Sequence, residues 1–399
     1  MSDPTAKPPA STRPIPRAGP WFDPADVSRL VATTARETVA TALTAFPGAD
    51  ATLPLAARLM PDGLDLLTTA FTEAADGGKH LRAHLAFTAW GTFGGAGDGT
   101  DGTASSTGAL DYPHMTHLAA ALELFQVSAL IHDDIVDGAD TRRARPSSHR
   151  HLEAALRRRF AVPHAERLGR DLAILLGDLA LVASERQAHL AIRDAAPATA
   201  AAIAEALDTM RAQVMIGQFL DTMAPTTPLQ PYEAALRDAV GIALVKAAHY
   251  SVTFPLVIGA LAADASASDR EALIAFATPI GLAYQLRDDI LGVFGAERTT
   301  GKPADGDLAD GKRTVLIALA RRNLDPVPAA RLAAILAGSP GPAEVAEARQ
   351  LVRDSGAADD AEHLITRCHH AGLEALDALA GVPLEPLIAL ADRLVHRAM

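Results

Sequence analysis

The chain runs for several helical turns at a time without a glycine or a proline, as between His114 and Asp137, and this sparse punctuation is what most limits its fold. Ordinary long helices explain such segments, and nothing between them reads as a strand. Hydrophobic residues make up 49% of the chain but aromatics only 4%, so the apolar mass is chiefly Ala, Leu, Val and Ile. Ala and Leu are strong helix formers, whereas sheet cores lean on aromatic and β-branched side chains. The sequence therefore reads as all-α. Helices are expected at 24–45, 64–76, 79–92, 115–137, 149–159, 165–192, 197–222, 231–247, 249–264, 268–294, 313–323, 327–337, 342–354, 358–380 and 385–398. Pro255 and Pro279 should kink or split two of them, since each removes a backbone donor.

The clearest break lies between Gly91 and Pro113, where a glycine-rich run and a Ser-Ser-Thr-Gly cluster read as a flexible surface loop. Shorter breaks fall at 224–231, 296–311 and 337–342, and none looks like an interdomain linker. At 399 residues the expectation is one large domain over 23–399, preceded by a disordered tail at 1–22. Six prolines and no apolar core in the first twenty residues exclude a signal peptide and leave a segment free to dock a partner.

A net charge of -12 repels phosphate backbones, which argues against nucleic-acid binding. The single cysteine, Cys368, excludes an internal disulfide and a cysteine metal cluster, and it fits a cytoplasmic setting. The longest nearly apolar stretch, Tyr250 to Ala263, is too short to span a bilayer, so no transmembrane segment is expected.

On the 115–137 helix an apolar surface that includes Leu122, Leu124, Phe125, Leu130 and Ile131 ends in His132-Asp133-Asp134-Ile135-Val136-Asp137. Asp133 and Asp137 are one turn apart on one face, where two anions repel by about 0.2–0.5 kcal/mol unless something offsets them. Oxygen-only ligands on one face favour a hard cation that keeps waters and shares a phosphate, which means Mg²⁺. A similar cluster recurs at Gln285-Leu286-Arg287-Asp288-Asp289-Ile290-Leu291-Gly292. One cluster alone could be a solvated acidic helix end, but two with matching context could face each other.

Such a pair implies a diphosphate, which also wants fixed cations and helix N-termini. Gly77-Gly78-Lys79-His80-Leu81-Arg82 opens a helix and should set Lys79 and Arg82 on one face as an anion cradle. Arg142-Arg143 follows the first aspartates closely enough to grip the same ligand, and arginine forks suit phosphate oxygens. Lys246 stands alone on an apolar helix face, while Lys302 and Lys312 lie in Gly-Lys steps of a loop rich in Asp305, Asp307 and Asp310. Taken singly, each lysine reads as a solvated charge.

From about Gly77 to Thr314 these residues resemble the trans-isoprenyl diphosphate synthase, or polyprenyl synthetase, family, most like bacterial geranylgeranyl diphosphate synthases. The Gly-Gly-Lys-x-x-Arg element, the first aspartate motif with its Arg-Arg, and Gly217-Gln218-Phe219-Leu220-Asp221 all carry the likeness. So do Lys246, Tyr284-Gln285-x-x-Asp288-Asp289, Gly301-Lys302 and Gly311-Lys312-Arg313-Thr314. The resemblance implies a helical bundle around one deep cavity, paired as a homodimer. It also implies that Asp133, Asp137 and Asp288 ligate Mg²⁺ with Asp134 and Asp289 in support, and that Arg142, Lys246 and Lys302 hold the allylic diphosphate (dimethylallyl, geranyl or farnesyl). Lys79, Arg82 and Arg143 would bind isopentenyl diphosphate, with Gln126, Gln285 and Lys312 completing the substrate set.

The implied reaction is head-to-tail condensation: the allylic C–O bond ionises, the isopentenyl double bond attacks, and diphosphate serves as base. The sequence departs from the family at His80, where Arg is common, at Gln126, where many members have His, and at Ala247, where Thr is usual. It also has Ala144 where Gly usually follows Arg-Arg, and Gly292 at the last Asp of the second motif. A class I terpene cyclase has one diphosphate site and would not need the second cradle, while a non-catalytic partner subunit is the reading those departures would favour. Product length should be set on the helix below Asp133. Ser128 and Ala129, small and one turn down, leave room past fifteen carbons, and Phe125 one turn further forms a floor for a twenty-carbon product. If Phe125 points aside, a longer product follows.

Overall fold

In the computed structural model of the protein, residues 23–44, 61–94, 109–228, 230–295, 306–338 and 340–396 are described, so the Pro-rich tail, Lys302 and Asp305 lie outside them. The helices, in chain order, are α1 (Pro24–Thr44), α2 (Pro61–Ala75), α3 (Leu81–Thr92), α4 (Tyr112–Val136), α5 (Ser148–Phe160), α6 (Ala165–Ile192) and α7 (Pro197–Met223). They continue as α8 (Tyr232–Ala243), α9 (Phe254–Ala262), α10 (Ala267–Phe294), a short α11 (Gly306–Ala309), α12 (Val315–Asn323), α13 (Pro326–Leu336), α14 (Pro342–Asp354), α15 (Ala357–Ala375) and α16 (Glu385–Val395).

Local chemistry starts these helices where the sequence suggests. Asp111 caps α4, accepting from the His114 N–H at 3.0 Å, and Ser266 caps α10, accepting from the Asp269 N–H at 3.2 Å. Runs of alanine then allow close helix packing: α4 lies along α6, α9 against α3, and α10 along α15. One apolar cluster is built around α1 to α7, with Leu118, Leu122 and Leu124 of α4 meeting Leu176, Ile203 and Leu207. A second gathers Leu286 and Ile290 of α10 with Leu316, Leu332 and Ile365, and a third gathers Leu273 and Phe276 of the same helix with Leu85, Leu256 and Leu390. Each such side chain, fully buried, contributes about 1.5–3 kcal/mol, so α10 is tied to the bundle along its length.

Five expectations change. The segments 231–247 and 249–264 form one continuous helix, Tyr232–Ala262, because Leu244–Thr253 is wound as π-helix between α8 and α9. Pro255 falls in the first turn of α9, so the wider π winding takes up the ring that would have clashed in a straight α-helix. Pro279 likewise does not split α10. The joined helix is long and apolar enough, by length and composition, to cross a membrane, so shortness does not argue against a span; half of its most apolar window is instead buried within the bundle.

Strand structure is also present: Thr141–Arg142 pairs antiparallel with Arg145–Pro146. Its two-residue turn, Arg143-Ala144, has φ of 54° and 58°, the double left-handed conformation of a tight hairpin turn. Finally, α3 begins at Leu81, not at 79, because His80 is left-handed at φ 45° and ψ 45°.

Candidate active site

Acidic side chains of α4, α7, α10 and α11 gather here, with cations paired to those of α4, α7 and α11. On α4, Asp133 and Asp134 both accept from the Arg142 guanidinium, whose Nη2 is 2.9 Å from Asp133 Oδ2 and whose Nε is 2.8 Å from Asp134 Oδ1. Burial would lower the basicity of Arg142, but hydrogen bonds and charge from Asp134 and Asp133 outweigh it and raise its pKa. Asp133 Oδ1 also lies 3.9 Å from Lys246 Nζ, which donates a short hydrogen bond to Asp221 on α7. That meeting depends on Gly217: a Cβ there would sit 2.5 Å from the Lys246 backbone, so only glycine lets α7 approach the π segment this closely.

Asp137, just past the end of α4, accepts from Lys312 Nζ at 2.9 Å, and the same ammonium is 3.4 Å from Asp307 Oδ1. Lys312 follows a turn in which Gly311 is left-handed at φ 65°, and Thr314 then caps α12, so the helix starts at Val315. Burial alone would lower the Lys312 pKa, but Asp307, Asp137 and Asp133 overrule it and hold the ammonium well above the usual lysine range. On α10, Gln285 Nε2 donates to Asp289 Oδ1 at 2.7 Å, and Asp289 is buried while Asp288 is half-buried. Burial first, then Asp307, with Asp288 and Asp221 adding repulsion, pushes the Asp289 carboxyl up to about 8. Asp133, Asp134, Asp137, Asp221, Asp288, Asp289 and Asp307 thus outnumber Arg142, Lys246 and Lys312.

Gly292 has a steric role beside it. A Cβ at 292 would collide with Asp307 Oδ2, so the empty last position of the second motif is where the Asp307 carboxylate stands. Asp221 and Asp307 are the acids that sequence reasoning did not place in the site. Asp221 had a signal in its motif, but nothing local tells that Asp307, across an intervening segment, would face Gly292.

The glycine element behaves differently from the expectation. Lys79 precedes α3 and is exposed, so Lys79 and Arg82 do not share a helix face. Arg142 and Arg143 also part company: Arg143 sits in the turn, where its guanidinium lies against Gly78 and its Nη1 is 3.3 Å from the Asp76 carbonyl. A side chain at 78 would crowd that guanidinium, which is the use of the paired glycines. A cavity of about 280 Å³ opens here, lined by Gly77, Val127, Ile131, Asp134, Arg142 and Arg143.

His80 turns inward, its Nε2 2.7 Å from Ser28 Oγ and its Nδ1 3.3 Å from Glu123 Oε2. Glu123, fully buried on α4, accepts from the Ala83 N–H at 3.0 Å and so caps α3. Burial would raise its pKa, but His80, the charge of Arg82 and the Ala83 amide together hold it below the ordinary range. The departure at His80 is thus a packing matter. Phe125 is buried beside Tyr250, ring centroids 5.5 Å apart and edge-on, with the Arg211 guanidinium 5.9 Å from the Phe125 ring centre. Ser128 is buried and Ala129 half-buried on the same helix.

Among the described residues no group of three or more His, Cys, Asp or Glu side chains converges as a metal cage. The oxygen-only donors and the surplus of carboxyl groups over cations do fit Mg²⁺, which usually takes one or two carboxylates and completes its shell with water and substrate phosphate.

A sequence model of the polyprenyl synthetase family matches residues 65–354. A geranylgeranyl diphosphate synthase of Mycobacterium tuberculosis is 31% identical over 332 residues, 82% of either chain. A short chain isoprenyl diphosphate synthase of Methanocaldococcus jannaschii is 34% identical over 230 residues, 57% of this chain and 62% of that one. Among solved structures, a geranylgeranyl pyrophosphate synthase of Corynebacterium glutamicum, complexed with isoprenyl diphosphate and magnesium, superposes with a TM-score of 0.76 at 31% identity, covering 94% of this chain and all of that one. With a family match over most of its length and lysines that join the first acidic motif to Asp221 and Asp307, this chain belongs to the polyprenyl synthetase family.

Proposed function

We propose that the protein condenses isopentenyl diphosphate with an allylic diphosphate and releases geranylgeranyl diphosphate. One observation carries the reading: Arg142, Lys246 and Lys312 stand among the carboxylates of α4, α7 and α11, as a site for a multiply charged anion with metal requires. Asp133, Asp137 and Asp288 would hold Mg²⁺, with Asp134 and Asp289 in support, and the bound ions would supply Lewis-acid stabilisation of the departing diphosphate. The rest falls to the chain itself. Arg142 and Lys246 neutralise charge as it develops on the leaving group, Lys312 does so from the opposite wall, and Gln285 fixes Asp289. Lys302 stays an assignment by resemblance.

Lys79, Arg82, Arg143 and Gln126 make the second diphosphate site, which a cyclase would not need. The apolar turns leading into Asp133 exclude water that would otherwise trap the allylic cation. Phe125, buried and braced by Tyr250, supports a floor two turns below the aspartates and hence a twenty-carbon product. We further propose a cytoplasmic homodimer with 23–399 as one domain. Leu175 and Val182 of α6 and Met215, Ile216 and Phe219 of α7 are exposed apolar side chains, and those on α7 share one face, as a covered surface would.

The test is incubation of purified protein, Mg²⁺ and isopentenyl diphosphate with dimethylallyl, geranyl or farnesyl diphosphate, followed by product sizing. Twenty-carbon diphosphate from these primers is expected. A released hydrocarbon would mean a cyclase, and no product would mean a non-catalytic subunit.

A further inference from the structure

Tyr250 lies on the π segment four residues after Lys246, is 5% exposed, and belongs to none of the motifs. Its hydroxyl donates to Gln126 Oε1 at 2.6 Å. The Arg82 guanidinium stacks on its ring, 3.9 Å from the centroid, and donates from Nη2 to Ser251 Oγ at 2.8 Å. An amide has one accepting end and one donating end. With Oε1 of Gln126 taken by the phenol, its Nε2 hydrogens are left for another acceptor. Gln126 is two helical turns before Asp133 and so lies on the same face of α4. Burial lowers the basicity of Arg143, Glu123 opposes this, and Arg142, Arg145 and Arg82 add to the lowering. The donor end of Gln126 and the Arg82 guanidinium therefore meet around Tyr250, and with Arg143 they set two guanidiniums against the Glu123 carboxylate, which leaves positive charge for an anion.

We infer that Tyr250 is a positioning residue for isopentenyl diphosphate, its hydroxyl orienting Gln126 as a donor and its ring holding Arg82 in place. This rests on the proposed condensation. Both partners are long, flexible side chains, and fixing them before the ligand arrives removes ordering cost from binding. It also gives Gln126 a way to serve as a donor, since a glutamine needs its amide orientation set from outside.

Calorimetric titration with isopentenyl diphosphate, together with steady-state kinetics at saturating allylic diphosphate, tests this in wild type, Tyr250→Phe, Gln126→Ala and the double variant. Tyr250→Phe keeps the ring and folds as wild type by circular dichroism. It should raise the isopentenyl Kd and KM about tenfold, the loss of one hydrogen bond, while kcat and the allylic KM change far less. In the Gln126→Ala background the same change should add less than about twofold, since the hydroxyl has lost its target. Tyr250→Leu, which also removes the stack under Arg82, should raise KM further than Tyr250→Phe. An unchanged isopentenyl KM in Tyr250→Phe, or an equal effect with and without Gln126, overturns the inference and leaves the condensation standing. A wild-type protein that neither binds nor consumes isopentenyl diphosphate overturns both.

Discussion

Asp133 and Asp288 are half-buried on separate helices, and removing either takes away a carboxylate proposed to hold Mg²⁺, while Arg142 keeps Asp134 and Lys246 keeps Asp221. Asp133→Ala and Asp288→Ala should each lower kcat by roughly 10²-fold or more with the circular dichroism spectrum preserved. Near wild-type turnover of either in magnesium would remove that residue from the site. Gly292 makes a sharper case. Gly292→Asp would drive a carboxylate into Asp307 and pull Asp307 away from Lys312, so turnover should fall roughly tenfold or more. Combining it with Asp307→Ala moves the carboxylate from one carrier to the other, and partial recovery is expected. If the double variant is worse than either single one, the two positions do not share one role.

At the scale of elements, the hairpin and α4 make separate predictions. Ala144 holds φ 58° in a turn that places Arg142 on the aspartates and Arg143 on Gly78. A Cβ in that conformation is strained, whereas glycine is not, though glycine gains freedom on unfolding. Ala144→Gly should therefore stabilise by about 0.5–1 kcal/mol and raise Tm, and a lowered Tm would contradict the strain. On α4, Phe125→Ala should open the floor and lengthen the product, at a stability cost of about 3–5 kcal/mol for the cavity left behind. Ala129→Phe should shorten it towards farnesyl diphosphate. Chromatography showing the same product distribution for both, at preserved activity, would move the ruler to another wall.

Across the whole molecule, the apolar face of α7 asks for a cover. Phe219 is 66% exposed, more than a lone surface aromatic needs, and Met215, Ile216 and Met223 share its face. Phe219→Asp should convert a dimer to a monomer in sedimentation or light scattering. Since Gly217, on the same helix, seats Lys246 and Asp221, the monomer should also lose turnover. A wild-type protein that is monomeric at micromolar concentration would leave this face without the proposed partner.

How much of this was legible beforehand follows from the range of the forces involved. Helix type is set by neighbours within about one turn, so Ala-rich, breaker-poor segments and their caps identified most helices to within a few residues. The aspartate motifs were legible for the same reason, since one-turn spacing on a helix fixes which acids share a face. What failed was set by contacts far apart in sequence. The π winding that joins α8 to α9 answers a proline within a packed bundle, and the left-handed His80 answers Ser28 and Glu123, 52 and 43 positions away. Arg142 and Arg143, neighbours in sequence, serve different surfaces because a tight turn separates them. Composition and local spacing by themselves determined an all-helical chain with two acidic helix ends. Only the tertiary packing decided which cations meet those ends, that Asp307 fills the place Gly292 leaves open, and that Tyr250 stands between Arg82 and Gln126, because each of these depends on helix surfaces that no local stretch of sequence encodes.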